Sequence, residues 1–182
     1  AARTQHYVLW AGGSGITPML GIAKTLLQNE PNATLSLVYA NRDQNSVIFK
    51  QTWDDLAKAN GNRLKVLYSY DKAPLTWFGM KGLLSPDKVS NVLNSKIKVT
   101  ANLSQHFICG PGGMMDAVKK GLEASGAPSD QVHTEYFSAP TENKKVEILE
   151  PAEFDGTAQI TLKVFGETHT VPCDQNTTVL NA

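Results

Sequence analysis

The amino-acid sequence predicts an α/β protein: a three-layer, doubly wound parallel sheet of five strands in the order 3-2-1-4-5. Three observations carry this. Residues Tyr7–Pro18 read as strand, glycine turn and helix. Strand-like and helix-like patterns then alternate as far as Phe137, and a second glycine turn follows the strand that ends at Cys109. Such alternation gives a parallel sheet covered by helices on both faces, and right-handed crossovers leave few topologies. The expected order puts the ends of the first and fourth strands side by side where the strand order reverses. Both glycine turns then converge on one crevice.

The elements follow in order. Tyr7-Val8-Leu9-Trp10 is the first strand and Ala11-Gly12-Gly13-Ser14-Gly15-Ile16-Thr17-Pro18 the turn. Thr17 suits a helix N-cap and Pro18 the first helical position, where a missing N–H costs nothing. Met19, Ile22, Ala23, Leu26 and Leu27 repeat at helical spacing until Asn29, Pro31 and Asn32. Leu35–Ala40 is a buried second strand; Phe49, Trp53, Leu56 and Ala57 mark a second helix, stopped by Asn60-Gly61; Leu64–Tyr70 is a third strand. Asp71–Leu84, with Pro74, Gly79 and Gly82, reads as an irregular loop, and Ser85-Pro86-Asp87 as a helix start. Gln105–Cys109 is the fourth strand, Gly110-Pro111-Gly112-Gly113 the second turn, and Met114, Met115, Val118 and Leu122 one helix face ending before Gly126. Gln131–Phe137 is the fifth strand. The pattern changes near Ser138, so the expected organisation is a domain over 1–138, a polar linker over 139–145 and a small unit over 146–182. In that last unit Val146–Leu149 reads as a short strand. Ile160, Leu162 and Val164 alternate with polar residues before Gly166-Glu167 turns the chain into Thr168–Val171, a β-hairpin.

Composition narrows the function. The 182 residues carry 17 basic and 17 acidic side chains, and no basic cluster is interleaved with aromatics, which disfavours nucleic acid. No charged residue occurs from Thr4 to Ala23, but four glycines and Pro18 within that stretch argue against a membrane span. Ala1 is not a methionine and no signal-peptide plan follows it, so the expectation is a piece of a longer protein. Cys109 and Cys173 have no metal-ligand spacing, and His6, His106, His133 and His169 lack partners at such spacing. No metal site is expected, and free thiols fit a cytoplasmic setting. A nucleophile elbow on Ser14 would need glycine where Ile16 stands, and the Gly-Lys-Ser/Thr triplet of a Walker A loop is absent.

Gly13-Ser14-Gly15-Ile16-Thr17-Pro18 together with Cys109-Gly110-Pro111 resembles the NAD(P)-binding domain of the ferredoxin–NADP reductase superfamily. Val38-Tyr39-Ala40-Asn41-Arg42-Asp43, Val47-Ile48-Phe49 and Glu135-Tyr136-Phe137 fit the same resemblance. Ile160-Thr161-Leu162, Gly166, Thr170-Val171 and Thr178–Ala182 are similar to the opening of a plant-type [2Fe–2S] ferredoxin of β-grasp fold. A reductase domain ahead of a ferredoxin is the arrangement of reductases of the phenylacetyl-CoA epoxidase type. The resemblance implies an NAD(P)H-dependent flavin oxidoreductase that passes electrons from NAD(P)H through FAD and [2Fe–2S] to an oxygenase component. The flavin domain would precede Ala1, and the cluster cysteines, whose C-x₄-C-x₂-C run is absent, would follow Ala182. This stretch alone is then expected to hold neither FAD nor cluster and to be inactive. The alternative is a nucleotide-binding regulatory α/β module without redox chemistry; an α/β hydrolase is a third reading, weakened by Ile16.

The resemblance also implies residue roles. Gly12, Gly13 and Gly15 let the backbone approach a pyrophosphate, with Ser14 and Thr17 donating hydroxyls and Pro18 completing the turn. Gly110, Pro111, Gly112 and Met114 form the facing turn. Asn41 and Arg42 follow the second strand, on the same sheet edge, where Arg42 supports the adenosine end. Ser69 and Tyr70 stand where NADPH-using relatives place a serine–arginine pair; here Tyr70 would stack on adenine and Lys72 supply positive charge, while Asp71 would repel a phosphate. NADPH is slightly favoured, with NADH open. Cys109 is expected at the nicotinamide, Glu135 positions it, and Phe137 lies near the flavin.

Overall fold

The computed structural model describes residues 5–136, 158–164 and 167–173. The chain divides into two compact units, Ala1–Pro140 and Thr141–Ala182. In the first, strands β1 (His6–Gly12), β2 (Thr34–Asn41), β3 (Leu64–Tyr70), β4 (Met80–Lys81), β5 (Ser104–Cys109) and β6 (Val132–Glu135) form one sheet in the order β4-β3-β2-β1-β5-β6. Every neighbouring pair is parallel. Five strands stand in the expected order. The sixth, β4, extends the β3 edge through the registers Ser69↔Met80 and Tyr70↔Lys81. Two residues carry no alternation, so this strand is hidden inside a segment that reads as a loop.

The helices are α1 (Ile16–Asn29), α2 (Lys50–Asn60), α3 (Pro86–Asn91) and α4 (Gly112–Ala124). Strand alternation sends Leu9, Ala11, Leu35, Leu37 and Tyr39 to one face, where they bury Met19, Ala23 and Leu27 of α1 and Trp53 of α2. Val8, Trp10, Val38 and Ile108 face the other side, against Val89 of α3 and Met115, Val118 and Leu122 of α4. Each fully buried side chain of this size contributes about 1.5–3 kcal/mol. Gly121 sets the α3–α4 approach, since a Cβ there would lie 2.6 Å from Val89 Cβ.

Two helix starts illustrate local control. Ser85 caps α3 as expected, its hydroxyl accepting from the Lys88 N–H with Pro86 as first helical residue. The α1 start differs: a 3-10 turn, Gly13–Gly15, feeds directly into Ile16, and Gly15 rather than Thr17 holds the cap position. Thr17 donates its hydroxyl to the Ser14 carbonyl at 2.9 Å, and Pro18 is the third helical residue. Its missing N–H still costs nothing, because the first four amides of a helix have no partner within it.

In the second unit, β7 (Ala158–Val164) and β8 (Glu167–Cys173) pair antiparallel, with Ile160 opposite Val171 and Leu162 opposite His169. This is the expected hairpin, with β8 extending past Val171 to Cys173. The expected linker over 139–145, the short strand at Val146–Leu149 and Phe137 lie outside the described residues.

Candidate functional site

The glycine turns stand at the carboxyl ends of adjacent strands, β1 and β5. They touch. A Cβ on Gly12 would lie 2.6 Å from Met114 Sδ and 2.8 Å from Pro111 Cδ, and one on Gly110 3.0 Å from Gly12 Cα. A Cβ on Gly15 would overlap the Cys109 carbonyl group. Gly13 has open space around it but φ of +52°, so there glycine serves conformation. The N-termini of α1 and α4 begin at these turns, and neither has an acidic residue in its first turn. The α4 start reaches the crevice at Gly113 and Met114, and the 3-10 turn ahead of α1 reaches it at Gly13, an arrangement suited to an anion.

The crevice is a cavity of about 640 Å³. Gly12 and Gly13 of the first turn and Pro111, Gly113 and Met114 of the second line it, together with Ala40, Asn41 and Arg42 at the end of β2. Ser46, Asp71, Leu83 and Leu84 complete the wall. Backbone bonds stitch the β2 and β3 ends together, Asp71 N–H to the Asn41 carbonyl at 3.0 Å and Lys72 N–H to the Arg42 carbonyl at 2.7 Å. Arg42 pairs with Asp43 at 3.2 Å, and the Ser46 hydroxyl, followed by that guanidinium, holds the Asp43 carboxyl below its usual range. Asn41 is 5% exposed, and neither its amide nitrogen nor its oxygen reaches hydrogen-bond geometry with a described group. The Tyr39 hydroxyl is engaged twice, donating to the Gly13 carbonyl at 3.0 Å and accepting from the Ile48 N–H at 3.2 Å. Burial raises its pKa.

Of the residues expected from sequence, Gly12, Gly13, Asn41, Arg42, Pro111 and Met114 are brought together around the cavity. Ser14 and Thr17 are exposed beside the first turn, and Gly15 packs beneath it; Gly112 opens α4, with Gly110 just ahead. Ser69 and Tyr70 are placed differently from expectation. Both are fully buried; the Ser69 hydroxyl donates to the Gly82 carbonyl at 3.0 Å, and the Tyr70 ring lies 4.6 Å from Trp77 and 6.2 Å from Tyr68. Covered on these sides, Tyr70 presents no free face for an adenine. Lys72 is exposed but does not line the cavity, whereas Asp71 does. Cys109 is 1% exposed and packs in the α1-side core; burial, then the Glu135 carboxylate, push its thiol pKa up. Its sulfur therefore does not line the cavity, although Cys109 and exposed Glu135 are register partners at the ends of β5 and β6.

Sequence reasoning missed the cavity roles of Ser46, Leu83 and Leu84. No local pattern marks Leu83 and Leu84, because Leu75, Trp77 and Phe78 in the same segment are as apolar and do not line the cavity. Among the described residues no group of three or more His, Cys, Asp or Glu could hold a metal ion. No helix among them is long and apolar enough to cross a membrane.

Comparison with known proteins agrees with this geometry. The family described as the oxidoreductase NAD-binding domain matches residues 9–120. The chain is 36% identical over 140 residues to one of the subunits of 1,2-phenylacetyl-CoA epoxidase of Escherichia coli K12, covering 77% of this chain and 39% of that protein. It is 36% identical over 171 residues to the ferredoxin reductase component of 3-ketosteroid-9-alpha-monooxygenase of Mycolicibacterium smegmatis, covering 91% and 44%. With NADH-cytochrome b5 reductase 2 of Phaeosphaeria nodorum it shares 32% identity over 135 residues, covering 71% and 37%. The chain thus spans less than half the length of these relatives. Among solved structures, the cytochrome b5 reductase domain of Ulva prolifera nitrate reductase has the same fold, with a TM-score of 0.63 at 23% identity over 73% of this chain and 49% of that one.

Proposed function

The chain belongs to the oxidoreductase NAD-binding domain family, within the ferredoxin reductase superfamily, and from that premise we propose that it is the dinucleotide-binding part of an electron-transfer reductase, with NADH as the preferred donor. The observation that carries this is the convergence of two glycine turns and two helix N-termini on one 640 Å³ cavity. A pyrophosphate belongs where backbone amides and helix dipoles meet. The residues fit such a ligand, because the space at Gly12 and Gly110 is space a Cβ would fill.

The preference for NADH rests on charge. Asp71 lines the cavity and Lys72 does not. A carboxylate accepts ribose hydroxyl hydrogen bonds and repels a 2′-phosphate. Leu83 and Leu84 offer an apolar wall to the base. Glu135, beside Cys109 in register, stands on the β5–β6 side, where the nicotinamide end would emerge. The redox chemistry itself would be supplied by FAD and a [2Fe–2S] cluster in the parent protein; the described residues bind, orient and desolvate the dinucleotide. The relatives that are epoxidase and monooxygenase components support an oxygenase component as the electron acceptor, with the flavin domain of the same parent chain as the immediate partner.

Calorimetric titration of the chain with NADH and NADPH tests the reading. Binding of NADH, at least several-fold tighter than NADPH at low salt, is expected. Equal affinities would remove Asp71 from the site, and binding of neither would remove the dinucleotide.

A further inference from the structure

We propose that Tyr39 is a positioning residue that locks the two walls of the cavity together, so that seating a pyrophosphate on the first glycine turn also fixes the loop after β2. The inference rests on the dinucleotide reading above and goes beyond it, because Tyr39 does not line the cavity. Its ring is fully buried in the α1-side core, and its hydroxyl emerges between two separate loops. One hydrogen bond goes to the Gly13 carbonyl at 3.0 Å and the other comes from the Ile48 N–H at 3.2 Å.

Both partners adjoin unusual backbone. Gly13 has φ of +52°, and Phe49, next to Ile48, has φ of +56° although it is not glycine. A left-handed conformation at a bulky residue persists only where its surroundings over-determine it. Here the Ile48 N–H is held by Tyr39 on one side, and the Phe49 carbonyl accepts from the Trp53 N–H at 3.0 Å on the other. Gly13 lines the cavity on the first-turn side, and Ser46, two residues before Ile48, lines it on the β2 side. A single hydroxyl with one donor and two acceptor sites thus has both bonds committed to holding these walls in register.

Tyr39→Phe keeps the buried ring and removes the link. Amide-resolved hydrogen exchange, with and without ADP-ribose, tests it on the 182-residue chain. In the unsubstituted chain ADP-ribose is expected to slow exchange at Ile48 and Phe49 as well as at Gly13 and Ser14. In the variant, Ile48 should exchange ~10-fold faster without ligand. ADP-ribose should bind ~10-fold more weakly, equivalent to about 1.4 kcal/mol, and protect the glycine turn without protecting Ile48. If the variant does not fold, the ligand-dependent protection of Ile48 in the parent chain decides the matter. Tight ADP-ribose binding that leaves Ile48 exchange unmoved in the parent overturns the link and spares the dinucleotide reading. Failure of the parent to bind ADP-ribose overturns the dinucleotide reading and the link with it.

Discussion

The two ends of the parallel sheet differ in how fully their polar groups are paired. At the amino end, His6 bonds Thr34 Oγ1 through Nδ1 at 2.6 Å and Ser36 Oγ through Nε2 at 3.2 Å. His106 bonds the Ala101 carbonyl through Nε2 and accepts from Trp10 Nε1 at 3.4 Å, and Ser104 donates to the Thr100 carbonyl. At the carboxyl end, Asn41 and Tyr70 contribute three of the five buried side-chain polar atoms that lack a partner among the described residues. That end also carries the strongly exposed Leu75 and Phe78, whereas left-handed backbone at a non-glycine residue occurs at both ends, at Phe49 here and at Lys98 ahead of β5. Satisfied groups stabilise a fold, whereas buried polar groups without a partner mark where a ligand could supply one. The contrast assigns stability to one end and binding to the other.

Substitution in the glycine turn should break the carboxyl end most severely. Gly15→Val would drive side-chain atoms into the Cys109 backbone, which cannot move without shifting β5. A loss of about 3 kcal/mol or more is expected, along with dinucleotide binding, measured by urea unfolding. Gly13→Ala meets no atom and should cost only about 1 kcal/mol of backbone strain. Similar losses from the two variants would contradict the close contact of the two turns.

The amino end should respond to acid. Burial, reinforced by nearby His106, pushes His6 from 6.5 down to about 4, and burial also lowers His106. Above pH 6.5 both states hold neutral imidazoles and this stability is fully present. As pH falls towards 4, the unfolded chain takes up protons that the folded chain refuses, so stability declines. For His6 the decline should be of the order of 2 kcal/mol once solvent screening is allowed for. His6→Gln should flatten that part of the stability–pH curve, and an unaltered curve would mean that His6 plays no part in it.

A smaller effect is expected at Asp71. Asp71→Asn should raise NADPH affinity relative to NADH about 10-fold, roughly 1.4 kcal/mol, with the gain shrinking as salt is added. The smallest is expected at the rim: Phe78 is 98% exposed, and Phe78→Ser should change stability by less than about 0.5 kcal/mol. A larger loss would mean that this surface is covered in the folded protein.

Much of the fold is legible in the sequence, for physical reasons that also mark its limits. Short, near-continuous apolar runs locate β1, β2, β3 and β5, as expected of strands covered on both faces, and crossover handedness orders them. The glycine turns are readable because only glycine permits the approach at Gly12 and Gly15. The cap is not: Thr17 is chemically suited to it, but the 3-10 turn at Gly13–Gly15 makes its own entry into α1. Tyr70 escapes a match by position because the pleat and the next loop decide its surroundings. It shares a face with Tyr68, and Trp77 folds over it, with its Nε1 donating to the Met80 carbonyl at 2.9 Å. An arginine at that position would bury its guanidinium rather than offer it to a phosphate. Phe49 fits a helical core pattern yet is half-exposed, since its left-handed backbone precedes the helix. The link through Tyr39 depends on two residues 26 and 9 positions away, a relation no local pattern expresses.

On the proposed reading both glycine turns hold one pyrophosphate in one cavity. Titration of the isotopically labelled chain with NADH, followed by amide NMR shifts, is the decisive check. The amides of Gly12–Gly15, Gly110, Gly112, Gly113 and Asp71 should shift together along a single saturation curve. Shifts confined to one turn, or centred instead on the Lys119 and Thr134 cavity at the α4–β6 edge, would contradict it.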